Sequence, residues 1–163
     1  MSKIYLIDVT NRDGVQTSRI CLSKLQKTIL NLYLNQLGVF QSEFGFPTTH
    51  HETNYLNANL ELAEMNALAP IRLGGWIRAI EEDVRETFKN CPKIRHLNLS
   101  MSTSEQMIRH KFKGKLDHTS VIKEMTDALK LARESGAESI GVNAEDASRT
   151  EIDYLVSFAQ AAK

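Results

Sequence analysis

Along the chain, apolar residues gather in short unbroken runs separated by stretches with helical spacing. Ile4-Tyr5-Leu6-Ile7 is fully apolar and β-prone, and it closes on Asp8 and a polar stretch containing Asp13-Gly14; this predicts a buried strand and then a loop. Ser23 with Gln26 forms a capping-box pattern, and Leu25, Ile29, Leu32 and Tyr33 share one helical face before Gly38. A helix over about residues 24–37 follows. Val39 to Phe44 predicts a second strand, ended by Gly45 and Pro47, and Thr49 with Glu52 starts a helix carrying Leu56, Leu60 and Ala63.

The unit then recurs. Ile71 to Ile77 is a third strand, followed by a helix with Glu81 and Glu82 at its favourable dipole end and Lys89 near its close. Leu97 to Met101 is a fourth, followed by a polar, basic loop from Ser102 to Lys115 and a helix with Val121, Ile122, Met125, Leu129 and Ala132 on one face, stopped at Gly136. Ser139 to Val142 is a fifth, and Thr150 with Asp153 opens a last helix bearing Ile152, Leu155, Val156 and Ala159. Strict alternation of apolar strands and helices predicts an α/β fold with a parallel sheet, either doubly wound or part of a (β/α)8 TIM barrel. A complete barrel takes roughly 250 residues, so 163 residues cover about five of its βα units. No linker or low-complexity tract divides the chain, so residues 1–163 read as a single domain.

Composition narrows the functional classes. With 42% hydrophobic and 25% charged residues the chain is neither a disordered acidic segment nor a fibrous repeat. Twenty Lys and Arg balance twenty Asp and Glu, which removes the electrostatic case for nucleic acid or an anionic membrane as main partner. Cys21 and Cys91 lack CxxC spacing and read as reduced thiols. No run of about 18 apolar residues occurs, and a cytoplasmic protein is the expectation.

In a parallel α/β fold the working face lies at the carboxyl ends of the strands. The residues there are Asp8, Asn11, Arg12, Asp13 and Gln16 after the first strand, Glu43 on the second, and Arg78 on the third. Asn98, Ser102 and Ser104 follow on the fourth and Asn143, Glu145 and Asp146 on the fifth. Carboxylates and arginines converging on one mouth could hold a divalent cation together with a carboxylate substrate. Each also has a plainer reading: Asp13-Gly14 as a turn, Arg12 as a solvated loop residue, Arg78 as one half of an edge salt bridge, and Glu145-Asp146 as charge at a helix start. Burying a lone carboxylate at Glu43 costs several kcal/mol, so it is either paired or part of a site. His50 and His51, adjacent in sequence, point in different directions and read as surface residues, and Lys111, Lys113 and Lys115 read as a solvated basic stretch.

Asp8-Val9-Thr10-Asn11-Arg12-Asp13-Gly14-Val15-Gln16 resembles the D-x-T-x-R-[DE]-G-x-Q signature of the superfamily of isopropylmalate synthases, homocitrate synthases and hydroxymethylglutaryl-CoA lyases. Glu43-Phe44-Gly45-Phe46-Pro47 is similar to the family's E-x-G-x-P segment, Trp76-Ile77-Arg78-Ala79 to its strand-three arginine segment, and Glu145-Asp146-Ala147-Ser148-Arg149-Thr150 to its E-D-x-x-R-[ST] run. The wording from Ala144 to Arg149 is most similar to homocitrate synthases of the nitrogen-fixation type.

The resemblance implies that residues 1–163 are the N-terminal part of a pyruvate-carboxyltransferase-like (β/α)8 catalytic domain, which joins acetyl-CoA to a 2-oxo acid such as 2-oxoglutarate. It implies Asp13 as a ligand of a divalent metal (Mg²⁺, Mn²⁺ or Zn²⁺) and Arg12 as the catalytic group that stabilises developing oxyanion charge. Gln16, Glu43, Arg78, Ser104 and Glu145 would then bind substrate or support the site. The family completes its metal site with an H-x-H pair that this sequence lacks, and Asn98, Gly141 and Asn143 replace residues common in relatives. The chain therefore reads as an excised piece, one subunit of a split enzyme, or a shortened relative without activity. An isopropylmalate or citramalate synthase acting on another 2-oxo acid, and a non-catalytic regulatory or binding half-barrel, are the alternatives. An unpaired sheet edge further predicts a homo-oligomer or a partner chain that supplies the remaining strands.

Overall fold

The computed structural model describes residues 3–163, whose apolar runs form a parallel sheet in the order β1-β2-β3-β4-β5. The strands are β1 (Ile7–Asp8), β2 (Gln41–Gly45), β3 (Arg72–Arg78), β4 (His96–Ser102) and β5 (Ser139–Glu145). Between and after them lie α1 (Lys24–Gln36), α2 (His50–Glu64), α3 (Glu81–Asn90), α4 (Glu105–Lys111), α5 (His118–Glu134) and α6 (Ile152–Ala161). Every strand pairs with its neighbour in sequence. A doubly wound sheet would reverse its order at a switch point, so this order selects the barrel. The fold is a partial (β/α)8 barrel.

Alternation along the strands sorts the two faces. In β4, Leu97, Leu99 and Met101 are buried towards the helices, while His96, Asn98, Ser100 and Ser102 belong to the opposite face. The apolar side packs with Phe44, Leu56, Ile77, Val84, Val121 and Met125, all fully buried. Each such side chain contributes roughly 1.5–3 kcal/mol. The other face, the barrel interior, is polar. Gly74 and Gly141 keep it open, because a Cβ at Gly74 would lie 2.6 Å from Gln41 Nε2 and one at Gly141 2.7 Å from Asn98 Oδ1. A bulge between Glu43 and Gly45 interrupts the β2–β3 register beside the working end.

Most local signals hold, including the Ser23–Gln26 capping box at α1. Several expectations change, among them the Thr150–Asp153 cap of α6, whose N-cap is Glu151 with no side-chain cap bond. Ile4 to Ile7 do not form a buried strand: β1 is confined to Ile7–Asp8, and Ile4 is 84% and Leu6 65% exposed. Among the described residues β1 has a neighbour on one side only, so nothing covers these side chains. In α1 the apolar residues Leu25, Ile29 and Tyr33 are exposed, whereas Lys27, Asn31 and Leu34 are buried. The helix turns a mixed face inward, Leu34 entering the core and Asn31 a hydrogen-bonded network.

Thr49 and Glu52 make no reciprocal box. The Thr49 hydroxyl donates to Phe46 O and the Glu52 carboxylate accepts from Phe46 N and Lys27 Nζ. The stretch from Ser102 to Lys115 contains the short helix α4, which Ser104 caps by accepting from Met107 N at 3.2 Å. Among the described residues no helix is long and apolar enough to cross a membrane.

Candidate active site

The loop after β1 is folded by its own polar residues. Asp8 accepts from Thr10 N and Thr10 Oγ1, both at 3.0 Å, and the Val9 carbonyl accepts from the amides of Arg12, Asp13 and Gly14. Asn11, fully buried, anchors the loop by donating to Lys27 O at 2.9 Å. The next residue, Arg12, is thereby turned to the barrel mouth.

Three partners hold its guanidinium. Arg12 Nε donates to Glu43 Oε2 at 2.8 Å, Nη1 donates to Asp13 Oδ1 at 3.0 Å, and the plane lies over Trp76, 4.7 Å from the ring centroid. Trp76 meets Phe46 edge-on at 5.2 Å. Glu43 Oε1 accepts from Asn98 Nδ2 at 2.7 Å, and Trp76 and Asn98 are register partners in β3 and β4. The four residues close a ring of contacts across the mouth. Glu43 is thus a paired buried carboxylate, bonded to Arg12 and Asn98.

A cavity of about 610 Å³ opens beside this ring, lined by Arg12, Asp13, Gln16, Phe46, Trp76 and Glu145. The sequence candidates Arg12, Asp13, Gln16 and Glu145 therefore meet. Arg78 and Ser104, which the resemblance implies as substrate-binding, do not line this cavity. Arg78 forks onto Asp83, Nε donating to Oδ2 at 2.9 Å and Nη2 to Oδ1 at 2.6 Å, which raises its pKa further. Its side chain borders a neighbouring cavity with Ser100 and Lys111. Ser104 is occupied as the cap of α4 and as donor to the Asp146 carboxylate.

Glu145 is drawn two ways: partial burial raises its pKa, but hydrogen bonds from Lys111 and Ser102 outweigh that and leave it below the ordinary carboxylate range. Lys111, read from sequence as solvated, is the ion-pair partner of Glu145. Trp76, the platform under Arg12, is not singled out by the sequence as a site residue, although period-2 alternation from Arg78 places it on the same strand face.

Among the described residues no group of three or more His, Cys, Asp or Glu side chains could hold a metal ion. Asp13 is a single exposed carboxylate, while Glu43 is neutralised by Arg12 and Glu145 by Lys111. This donor set does not fit a divalent ion by itself.

The family described as HMGL-like matches residues 3–163. The chain belongs to the HMGL-like family. This HMGL-like chain is 59% identical over all its 163 residues to a citrate (Re)-synthase of Dehalococcoides mccartyi, covering 39% of that protein. It is 34% identical to 2-isopropylmalate synthase 2 of Caldanaerobacter subterraneus over 98% of the chain and 39% of the relative. To homocitrate synthase AksA of Methanocaldococcus jannaschii it is 29% identical, over 100% of the chain and 38% of the relative. It thus spans about two fifths of the length of these curated relatives.

A solved HMG-CoA lyase of Brucella melitensis superposes with a TM-score of 0.66 at 12% identity, over 99% of the HMGL-like chain and 57% of the lyase. The N-terminal domain of a putative aldolase of Bacteroides vulgatus gives 0.60 at 12% identity, over 93% and 48%. Both support the fold.

Proposed function

We propose that the HMGL-like chain carries the oxyanion-stabilising part of a synthase that condenses acetyl-CoA with a 2-oxo acid. The observation that carries this reading is Arg12 held rigidly at the cavity by Glu43 and Trp76. As an acyl-derived carbanion adds to the keto carbon, charge builds on the keto oxygen, and a guanidinium that needs no reorganisation stabilises it best. The bonds to Glu43 and Asp13 engage Nε and Nη1, and arginine has five N–H donors, so donors remain for an oxyanion. Glu43 supports Arg12, and Gln16 and Glu145 contact the substrate from the cavity wall. Arg78 and Ser104 tie β3 to α3 and cap α4. A divalent ion (Mg²⁺, Mn²⁺ or Zn²⁺) enters this proposal only with ligands from beyond these residues, Asp13 adding one carboxylate.

The identity of 59% to a citrate (Re)-synthase favours a particular oxo acid. Cutting citrate at the bond to its carbinol carbon leaves a two-carbon acyl unit and oxaloacetate. The second reading, condensation with 2-oxoglutarate by a homocitrate synthase of the nitrogen-fixation type, is favoured by the Ala144–Arg149 segment and the homocitrate synthase relative. Fusing this chain to the remaining part of the Dehalococcoides relative and offering oxaloacetate, 2-oxoglutarate, 2-oxoisovalerate and pyruvate separates them. Water hydrolysis of the thioester formed by the condensation frees CoA thiol; its release with oxaloacetate supports the first reading and preference for 2-oxoglutarate the second. No release with any 2-oxo acid from a folded fusion contradicts both.

A further inference from the structure

A helix that packs on a sheet ordinarily presents its apolar stripe, and α1 has one in Leu25, Ile29 and Tyr33. It buries a different side, on which Leu34 enters the core and Asn31 has no exposure. The Asn31 amide is fully used: Nδ2 donates to Tyr55 OH and to Asn59 Oδ1, both at 3.0 Å, and Oδ1 accepts from Asn11 Nδ2 at 2.8 Å and from Ser42 Oγ at 2.9 Å. A satisfied buried amide is directional where an apolar contact is not.

The two donors to Oδ1 have particular neighbours. Asn11 immediately precedes Arg12, and Ser42 immediately precedes Glu43. Because successive strand residues point to opposite faces, Ser42 faces α1 while Glu43 faces the barrel interior. One oxygen atom therefore grips the loop after β1 and the strand β2 from outside the barrel, directly behind the two residues that pair inside it. We infer that Asn31 is a positioning residue that fixes the Arg12–Glu43 pair over Trp76 through Asn11 and Ser42.

This deepens the reading of Arg12 as the oxyanion-stabilising group and rests on it for its functional meaning. Displacing a group at a reacting centre by 1 Å can cost about 100-fold in rate, so a device that sets the loop against the strand matters at this place. Asn59 and Tyr55 complete the far side of the network, and neither is next in sequence to Arg12 or Glu43.

Trp76 is the only tryptophan, and its ring carries Arg12, so its emission spectrum and its quenching by acrylamide report where the guanidinium lies. Arg12→Gln in the whole chain supplies the reference change. Asn31→Ala and Ser42→Ala, with unaltered far-UV circular dichroism, should move Trp76 emission and quenching towards that reference. Tyr55→Phe, which removes a bond from the same network without touching Asn11 or Ser42, should leave them at the wild-type values. If Asn31→Ala does not fold, Ser42→Ala decides by the same readout. Wild-type Trp76 behaviour in the folded Asn31 or Ser42 variant, or an equal change in Tyr55→Phe, overturns the inference. The readout uses no substrate, so its outcome is separate from that of the condensation assay.

Discussion

Arg12 Nε donates to Glu43 Oε2 at 2.8 Å, joining a loop to a strand 31 residues away, and only 4% of the Glu43 side chain is exposed. Removing one member of such a pair leaves the other charge partly desolvated, which in buried pairs costs about 3–5 kcal/mol. Because 19% of the Arg12 side chain reaches solvent, Glu43→Gln should destabilise the chain by about 2–4 kcal/mol. Urea denaturation followed by circular dichroism measures this, and a change within error would show that the pair is not a structural fixture.

Asp83 is almost fully buried and receives Arg78 through both guanidinium bonds and the Arg78 amide at 3.1 Å. Asp83→Ala leaves that amide without its acceptor and should cost about 1–3 kcal/mol. Arg78→Ala should lose stability too, whereas a substrate-only role for Arg78 predicts no change in the unfolding midpoint of the chain alone.

Glu145 has a pKa below the ordinary glutamate range in the folded chain, since Lys111 and Ser102 outweigh the upward push of burial. A carboxylate depressed on folding contributes stability that is present above its unfolded pKa of about 4.3 and is lost as pH falls through the folded value. Stability should therefore decline on acidification from about that pH. Lys111→Met should shallow the acid limb, as read from urea midpoints across the acid range. An unchanged limb would remove Lys111 from the account.

Ile4, Leu6, Leu25, Ile29 and Tyr33 expose apolar surface around β1 and α1, next to a sheet edge with no partner among the described residues. Surfaces of this kind associate. Light scattering at micromolar concentration should find a species larger than one chain, and Leu25→Lys with Ile29→Glu should lower its mass. A wild-type monomer would show that these surfaces are tolerated in water.

The strand–helix alternation and the gathering of Arg12, Asp13, Gln16 and Glu145 were legible because both follow from local pattern: apolar runs, capping residues, and the position of each polar group after its strand. What was not legible depends on distant partners. The helical spacing of Leu25, Ile29 and Tyr33 says that α1 has an apolar face but not which side meets the sheet; Asn11 and Ser42, which donate to Asn31, and Tyr55 and Asn59, which accept from it, help decide that. Arg78 carries a family motif, yet Asp83, five residues on, takes its guanidinium first. Lys111 looked solvated because α4, which delivers it to Glu145, is too short to leave a clear period in the sequence.

Arg12→Gln removes the donor proposed to stabilise the oxyanion when acetyl-CoA condenses with a 2-oxo acid. The most direct test is the steady-state rate of Arg12→Gln in the fusion with the remaining part of the Dehalococcoides relative, measured by release of CoA thiol. The expected result is a fall in kcat of roughly 10²–10³, the effect of losing one oxyanion donor, with the KM for acetyl-CoA little changed. Full kcat in the folded variant would contradict it.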